Sequence, residues 1–258
     1  FKLIGTLRKQ RFDHVINAQR FFSTGLMTAL SGGKETIGYD KNPLSFLFTR
    51  KVKHVIGDGR HEVDRLNALI EPLTDESRPL PKLYPTEAAK KEAEAYFAAH
   101  AQKWRRYVCI APTSVWFTKQ WPTVKWVELV NSLRPDFHVF FIGGRGDAAR
   151  CNTIAHAANR GVVLAQELSL LGSAALMANA EMNLVNDSAP LHIASAMNAP
   201  VTAVFCSTIP AFGFGPLREN GRVFEITEKL DCRPCGLHGY KACPKGHFRC
   251  ALEIEVKI

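Results

Sequence analysis

The stretch NDSAPLHIASA, Asn186 to Ala196, completes the apolar run MNLVN (182–186) and precedes a second apolar run, VTAVFC (201–206). It places an Asp-Ser pair where a buried strand hands over to a helix, and strand, polar turn, helix and strand in succession form the repeating unit of a parallel α/β sheet. In such sheets ligands collect at the carboxyl ends of the strands, where loops feed helix N-termini. Ser188 is of N-cap type, Pro190 suits the first helical turn, and the small Ala194, Ser195 and Ala196 let the helix lie close to the sheet. Free N–H groups and the positive end of the helix dipole there suit a phosphate. The competing reading is that Asp187 and Ser188 merely cap a structural helix. His192, one turn in, reads by itself as a core histidine, but with the helix N-terminus it is also counted among the candidate donor-binding residues.

Working outward, the same alternation fills the second half of the chain. YVCIAP (107–112) precedes the helix TVKWVELVNSL (123–133), HVFFIGG (138–144) precedes DAARCNTIAHAA (147–158), and GVVLA (161–165) precedes SLLGSAALMANA (169–180). VTAVFC and RVFEIT (222–227) complete the strands. Continuous apolar strands flanked by helices indicate a Rossmann-like sheet covered on both faces. The first half is less regular. FDHVINAQ (12–19) reads as a strand, FFSTGLMTALSG (21–32) as a helix, TIGYD (36–40) as a short strand, and HEVDRLNALIEPL (61–73) as a helix. A connector, PLTDESRPLPKLYP (72–85), and the helical TEAAKKEAEAYFAAHA (86–101) follow, so the domains are drawn as 1–105 and 106–258.

Two further constellations end strands of the same sheet. In APTSVWFTKQWP (111–122), Thr113 and Ser114 offer hydroxyls to phosphate oxygens and Lys119 offers a positive charge. In FIGGRGD (141–147), Gly143, Gly144 and Gly146 allow close backbone approach, and Asp147 can accept from ribose hydroxyls. GGRGDA with the next residue, Ala149, also contains the weak Gly-x-Gly-x-x-Ala pattern, with Glu167 about 20 residues on, which keeps an NAD-linked oxidoreductase as an alternative. The pattern follows the second strand of its domain, whereas a dinucleotide fingerprint follows the first.

The 258 residues carry a formal net charge of +9, which favours an anionic partner. The basic clusters Arg50-Lys51-Lys53 and Lys103-Arg105-Arg106 are short and lack interleaved aromatics, so nucleic acid is not the expected partner. No long apolar run suits a membrane span, and FKLIGTLRKQRFDHV lacks the features of an export signal. Of seven cysteines, Cys232, Cys235, Cys243 and Cys250 crowd the last segment. Their spacing offers four soft ligands to zinc, but the second pair is loose; reduced structural thiols are the expectation, and disulfides are not the default.

Together, TSVWFTKQWP, FFIGGRGD, NDSAPLHIASAMNAPVTAVF with STIPAFGFGP, and the tail CRPCGLHGYKACPKGHFRC resemble the bacterial glycosyltransferases of family nine, the lipopolysaccharide heptosyltransferases. The resemblance covers nearly the whole chain. It implies a GT-B fold, two Rossmann-like domains facing a cleft, with the first incomplete here. It places Thr113, Ser114 and Lys119 near the donor phosphates, Asp147 near the ribose, Leu168 beside the adenine, and Asp187, Ser188 and Ala189 at the pyrophosphate and sugar. The implied reaction is metal-independent inverting transfer of a heptose from an ADP-activated donor to a lipid-linked anionic inner-core oligosaccharide. The implied place is the cytoplasm, with peripheral contact at the inner membrane.

Two departures shape the expectation. Ala189 stands where the family usually has Gly, with a steric cost if the backbone needs φ > 0. The family also opens with a strand, a Gly-Asp loop and a helix bearing the aspartate regarded as general base, and the given sequence starts at Phe1. The expectation is therefore a chain that binds a nucleoside diphosphate but transfers sugar slowly, or a non-catalytic sugar-nucleotide-binding protein. Residues 1–71 are expected to pack poorly, exposing Phe21, Phe22 and Leu26. Asp13 and Asp64 are the first substitutes for the base.

Overall fold

The structure is a computed structural model describing residues 2–74, 79–100, 106–217 and 221–257. Lys103, Arg105 and connector residues 75–78 lie outside the described residues. The chain forms two compact units, Phe1–Pro79 with Ala211–Gly213, and Leu80–Pro210 with Phe214–Ile258.

The first unit contains α1 (Lys2–Gln10), β1 (His14–Asn17), α2 (Phe22–Ala29), β2 (Glu35–Tyr39), β3 (Arg50–Val52) and α3 (Glu62–Asn67). Its three strands are all parallel in the order β1-β2-β3, so β2 alone has neighbours on both sides among the described residues. Burial follows from that order. β2 is almost wholly buried, whereas β1 is half open. The core is small, with Ile37, Tyr39 and Leu69 packed against Val52. Arg65 is the largest polar investment here: buried at 1% exposure, it donates to Glu62 Oε2 (2.7 Å), Arg60 O (2.7 Å) and Phe212 O (2.6 Å). As expected, Phe21 and Phe22 stand exposed, at 65% and 58%, while Leu26 is half-buried.

The second unit runs through α4 (Glu87–His100), β4 (Arg106–Ala111), α5 (Thr123–Ser132), β5 (Phe137–Phe141), α6 (Ala148–Ala158), β6 (Val162–Val163), α7 (Leu170–Ala178), β7 (Met182–Asn186), α8 (Ala189–Ala196), β8 (Val201–Phe205), β9 (Arg222–Glu225) and α9 (Arg249–Leu252). Its six strands are all parallel in the order β6-β5-β4-β7-β8-β9. The unit's first strand thus lies beside its fourth, the doubly wound order whose direction reverses at one crevice. Apolar layers cover both faces, one built around Trp126, Phe141 and Ile154, the other around Phe140, Met177 and Phe205. The expected α/β fold is what the structure has.

The division after Pro79 differs from a boundary after residue 105, because α4 belongs with the second unit. Ala89 and Ala93 are buried one turn apart, Phe97 packs 5.2 Å from Tyr107, and Glu92 accepts from Ser169 N at 2.8 Å and Ser169 Oγ at 2.5 Å. Ser169 in turn caps α7 by accepting from Gly172 N.

Candidate functional site

The crevice between β4 and β7 is where the doubly wound order predicts a ligand, and a cavity of about 580 Å³ opens there. Three loops build it. From the loop after β4 come Thr113 and Ser114; from the loop after β5 come Gly143, Gly144 and Asp147; from the start of α8 come Ser188 and Ala189. Leu168 lines it as well. All three constellations found in the sequence therefore meet at one cavity.

Their local chemistry differs from the sequence expectation in instructive ways. Ser188 holds the N-cap position of α8 but makes no capping bond; its hydroxyl donates to Asn186 O at 3.4 Å. The serine therefore leaves the first N–H groups of α8 without its cap. Ala189 is the first helical residue and is not among the positive-φ positions, so the feared steric cost does not arise. Asp147 precedes α6 and accepts from Gly144 N at 2.8 Å instead of capping the helix. A Cβ at Gly143 would sit 2.7 Å from Asp147 Cβ, and Gly146 has φ +92°, so glycine is required at both places.

Lys119 and Asp187 do not line the cavity but form an ion pair at its margin, Nζ to Oδ2 2.7 Å, with side chains 16% and 7% exposed. Asp187 also accepts from Thr208 Oγ1 at 2.6 Å, and Ser114 Oγ donates to Asp187 O at 3.5 Å. His192 is neither core nor cavity lining. It is exposed, with its ring set edge-on to Phe214 at 6.4 Å.

The tail braces this margin. Arg233 donates to the carbonyls of Phe205, Cys206 and Thr208 and to Glu225, while Cys235 N donates to Ser207 O. Thr118 Oγ1 accepts from Tyr240 N at 2.7 Å and from Ser207 Oγ at 3.0 Å. All seven cysteines are free thiols, and burial pushes Cys250 up to about 12. Cys232 Sγ lies 3.8 Å from His247 Nε2, yet among the described residues no group of three or more metal-ligating side chains is assembled.

Some lining was not anticipated. Leu170, Ser173 and Met177 repeat at helical spacing along one face of α7, a stripe that reads in sequence as core. Arg145 adds a cation on the glycine loop. In the first unit, Asp13 is exposed and paired with Lys34, whose hydrogen bond and charge hold its carboxyl below the usual range. Asp64 Oδ2 accepts from His61 N at the start of α3.

A doubly wound parallel sheet with a three-loop cavity at its switch point is the arrangement of a ligand-binding α/β domain. The profile of glycosyltransferase family 9 (heptosyltransferase) matches residues 1–238, and the chain belongs to that family. It is 27% identical over 240 residues to lipopolysaccharide heptosyltransferase 1 of Pseudomonas aeruginosa, covering 89% of this chain and 63% of the relative. It is also 27% identical to lipopolysaccharide heptosyltransferase 3 of Escherichia coli, over 81% of this chain and 63% of that protein. The chain thus spans under two thirds of the length of these curated relatives. The fold matches that of E. coli ADP-heptose lps heptosyltransferase II with a TM-score of 0.73 at 22% identity, over 91% of this chain and 76% of that one.

Proposed function

We propose that the protein acts as an inverting, metal-independent glycosyltransferase. It takes a heptose from an ADP-activated donor and passes it to a lipid-linked, phosphorylated inner-core oligosaccharide of lipopolysaccharide. The observation that carries this reading is the convergence of three polar loops on one cavity at the switch point of the second unit. A family relative's name supplies the ADP-heptose. In this scheme the adenine lies against Leu168 and the apolar face of α7, the ribose reaches Asp147, and the pyrophosphate faces Thr113, Ser114 and the N-terminus of α8. An acceptor hydroxyl attacks the anomeric carbon as a carboxylate takes its proton, and Lys119 with the α8 dipole stabilises charge growing on the departing diphosphate. Among the described residues no helix is long and apolar enough to cross a membrane. In this scheme the lipid-linked acceptor is met peripherally, at the cytoplasmic face of the inner membrane.

Calorimetric titration with ADP tests the donor site. Lys119→Ala should weaken binding about tenfold to a hundredfold, the worth of a charge-assisted contact. Asp147→Asn should cost more with ADP than with inorganic pyrophosphate. Failure of the folded chain to bind ADP overturns the assignment. ADP binding without any transfer from ADP-heptose to a core acceptor would make the chain a sugar-nucleotide-binding protein instead.

A further inference from the structure

Lys119 is committed to Asp187 by a short, largely buried contact. A lysine held this way is a poor partner for phosphate unless the carboxylate has something else to rest on, because turning the ammonium away would leave a buried negative charge underpartnered. The structure supplies the second donor. Thr208, 1% exposed, donates from Oγ1 to the same carboxylate oxygen that Lys119 contacts, at 2.6 Å. Its backbone is fixed too, since Thr208 O accepts from Arg233 at 2.7 Å. The aspartate is anchored from its other side by Asp187 N donating to Val204 O.

We propose that Thr208 is a positioning residue for the diphosphate site: its hydroxyl shares the Asp187 carboxylate with Lys119, so that the ammonium can turn to the donor's pyrophosphate without stripping that carboxylate of its partner. The inference rests on the donor-site assignment above. Two donors on one oxygen distinguish this arrangement from an ordinary buried hydroxyl bond. One of them, the threonine, is immobile; the other sits on a flexible four-carbon stem. The threonine never touches the ligand and acts only through Asp187 and Lys119.

The test is ADP affinity, measured by calorimetry on the whole chain, for Thr208→Val, Thr208→Ser and Lys119→Ala, and for Thr208→Val combined with Lys119→Ala, each checked for folding by thermal unfolding. Valine keeps the shape and removes the hydroxyl, so Thr208→Val should bind ADP roughly tenfold more weakly. Thr208→Ser should stay within about twofold of the unmodified chain. In the Lys119→Ala background the valine should add little, since no ammonium remains to be released. Unchanged affinity in Thr208→Val overturns the proposal, as does an equal loss in both backgrounds, which marks a merely structural role. If Thr208→Val does not fold, Thr208→Ser decides: a loss as large as that of Lys119→Ala overturns the proposal. Absence of ADP binding by the unmodified chain overturns the donor-site reading and this inference with it. ADP binding that is lost in Lys119→Ala and unaltered in Thr208→Val overturns this inference alone.

Discussion

Both units build a parallel α/β sheet, but they reach burial by different means. In the second unit β4, β7 and β8 are buried almost end to end, because strands flank them on both sides and apolar layers cover both faces. Among the described residues of the first unit only β2 has that setting, the apolar core is a handful of residues, and a fully buried arginine with its acceptors occupies space that hydrocarbon fills elsewhere. The comparison teaches that sheet order, more than composition, decides which strands become core. It also predicts that the units respond to different insults, the second to lost volume and the first to lost hydrogen bonds.

Trp116, Trp121 and Trp126 fall in the second unit, and Trp104 lies outside the described residues; the fluorescence of these three follows the second unit while far-ultraviolet circular dichroism follows both. Phe205→Ala removes a fully buried ring and should destabilise by about 3–5 kcal/mol, moving the fluorescence midpoint in denaturant. An unmoved midpoint would break the claim that volume governs this unit. Arg65→Ala should cost about 2–3 kcal/mol by orphaning Arg60 O and Phe212 O, shifting the dichroism signal ahead of the fluorescence. Coincident shifts by both probes would show that the units unfold together.

The smallest effect concerns acid. Burial, aided by Arg20, lowers the pKa of His54, which packs edge-on to Tyr39 in the first unit. A histidine whose folded pKa lies below its unfolded value gives a fold that binds fewer protons than the unfolded chain. Stability is therefore full above the unfolded value, near 6.5, and declines as the pH falls below it. His54→Gln should flatten that slope below about pH 6.5, as read by denaturation at each pH.

The alternation of apolar runs and polar turns made the second unit legible, since continuous burial writes itself into consecutive residues. The ends of those runs located Thr113, Ser114, Asp147 and Ser188, because strand C-termini are visible wherever an apolar run meets Gly, Ser or Asp. Pairings across long separations were not legible. Lys119 meets Asp187, and Asp187 meets Thr208, only after the sheet has brought three loops together, and nothing local marks a Ser-Thr turn as an ion-pair support. The N-cap reading of Ser188 named the right position, while the hydroxyl's direction was set by the close approach of Asn186 O. The three residues of β3 were too few and too polar to show a period, and the helix Lys2–Gln10 was not anticipated.

The bracing of Thr118 by Tyr240 and of Thr208 by Arg233 bears on how this protein can be rebuilt. A chimera that grafts the three cavity loops onto another family member would carry Lys119 and Asp187 but leave behind the peptide N–H and guanidinium that fix their neighbours. Gly239 tightens the constraint: with φ +77° and a Cβ position 2.8 Å from Thr118 Oγ1, it admits no side chain without displacing that hydroxyl. The segment from Arg233 to Tyr240 must therefore travel with the loops, and splice points belong before Leu230 or beyond Tyr240.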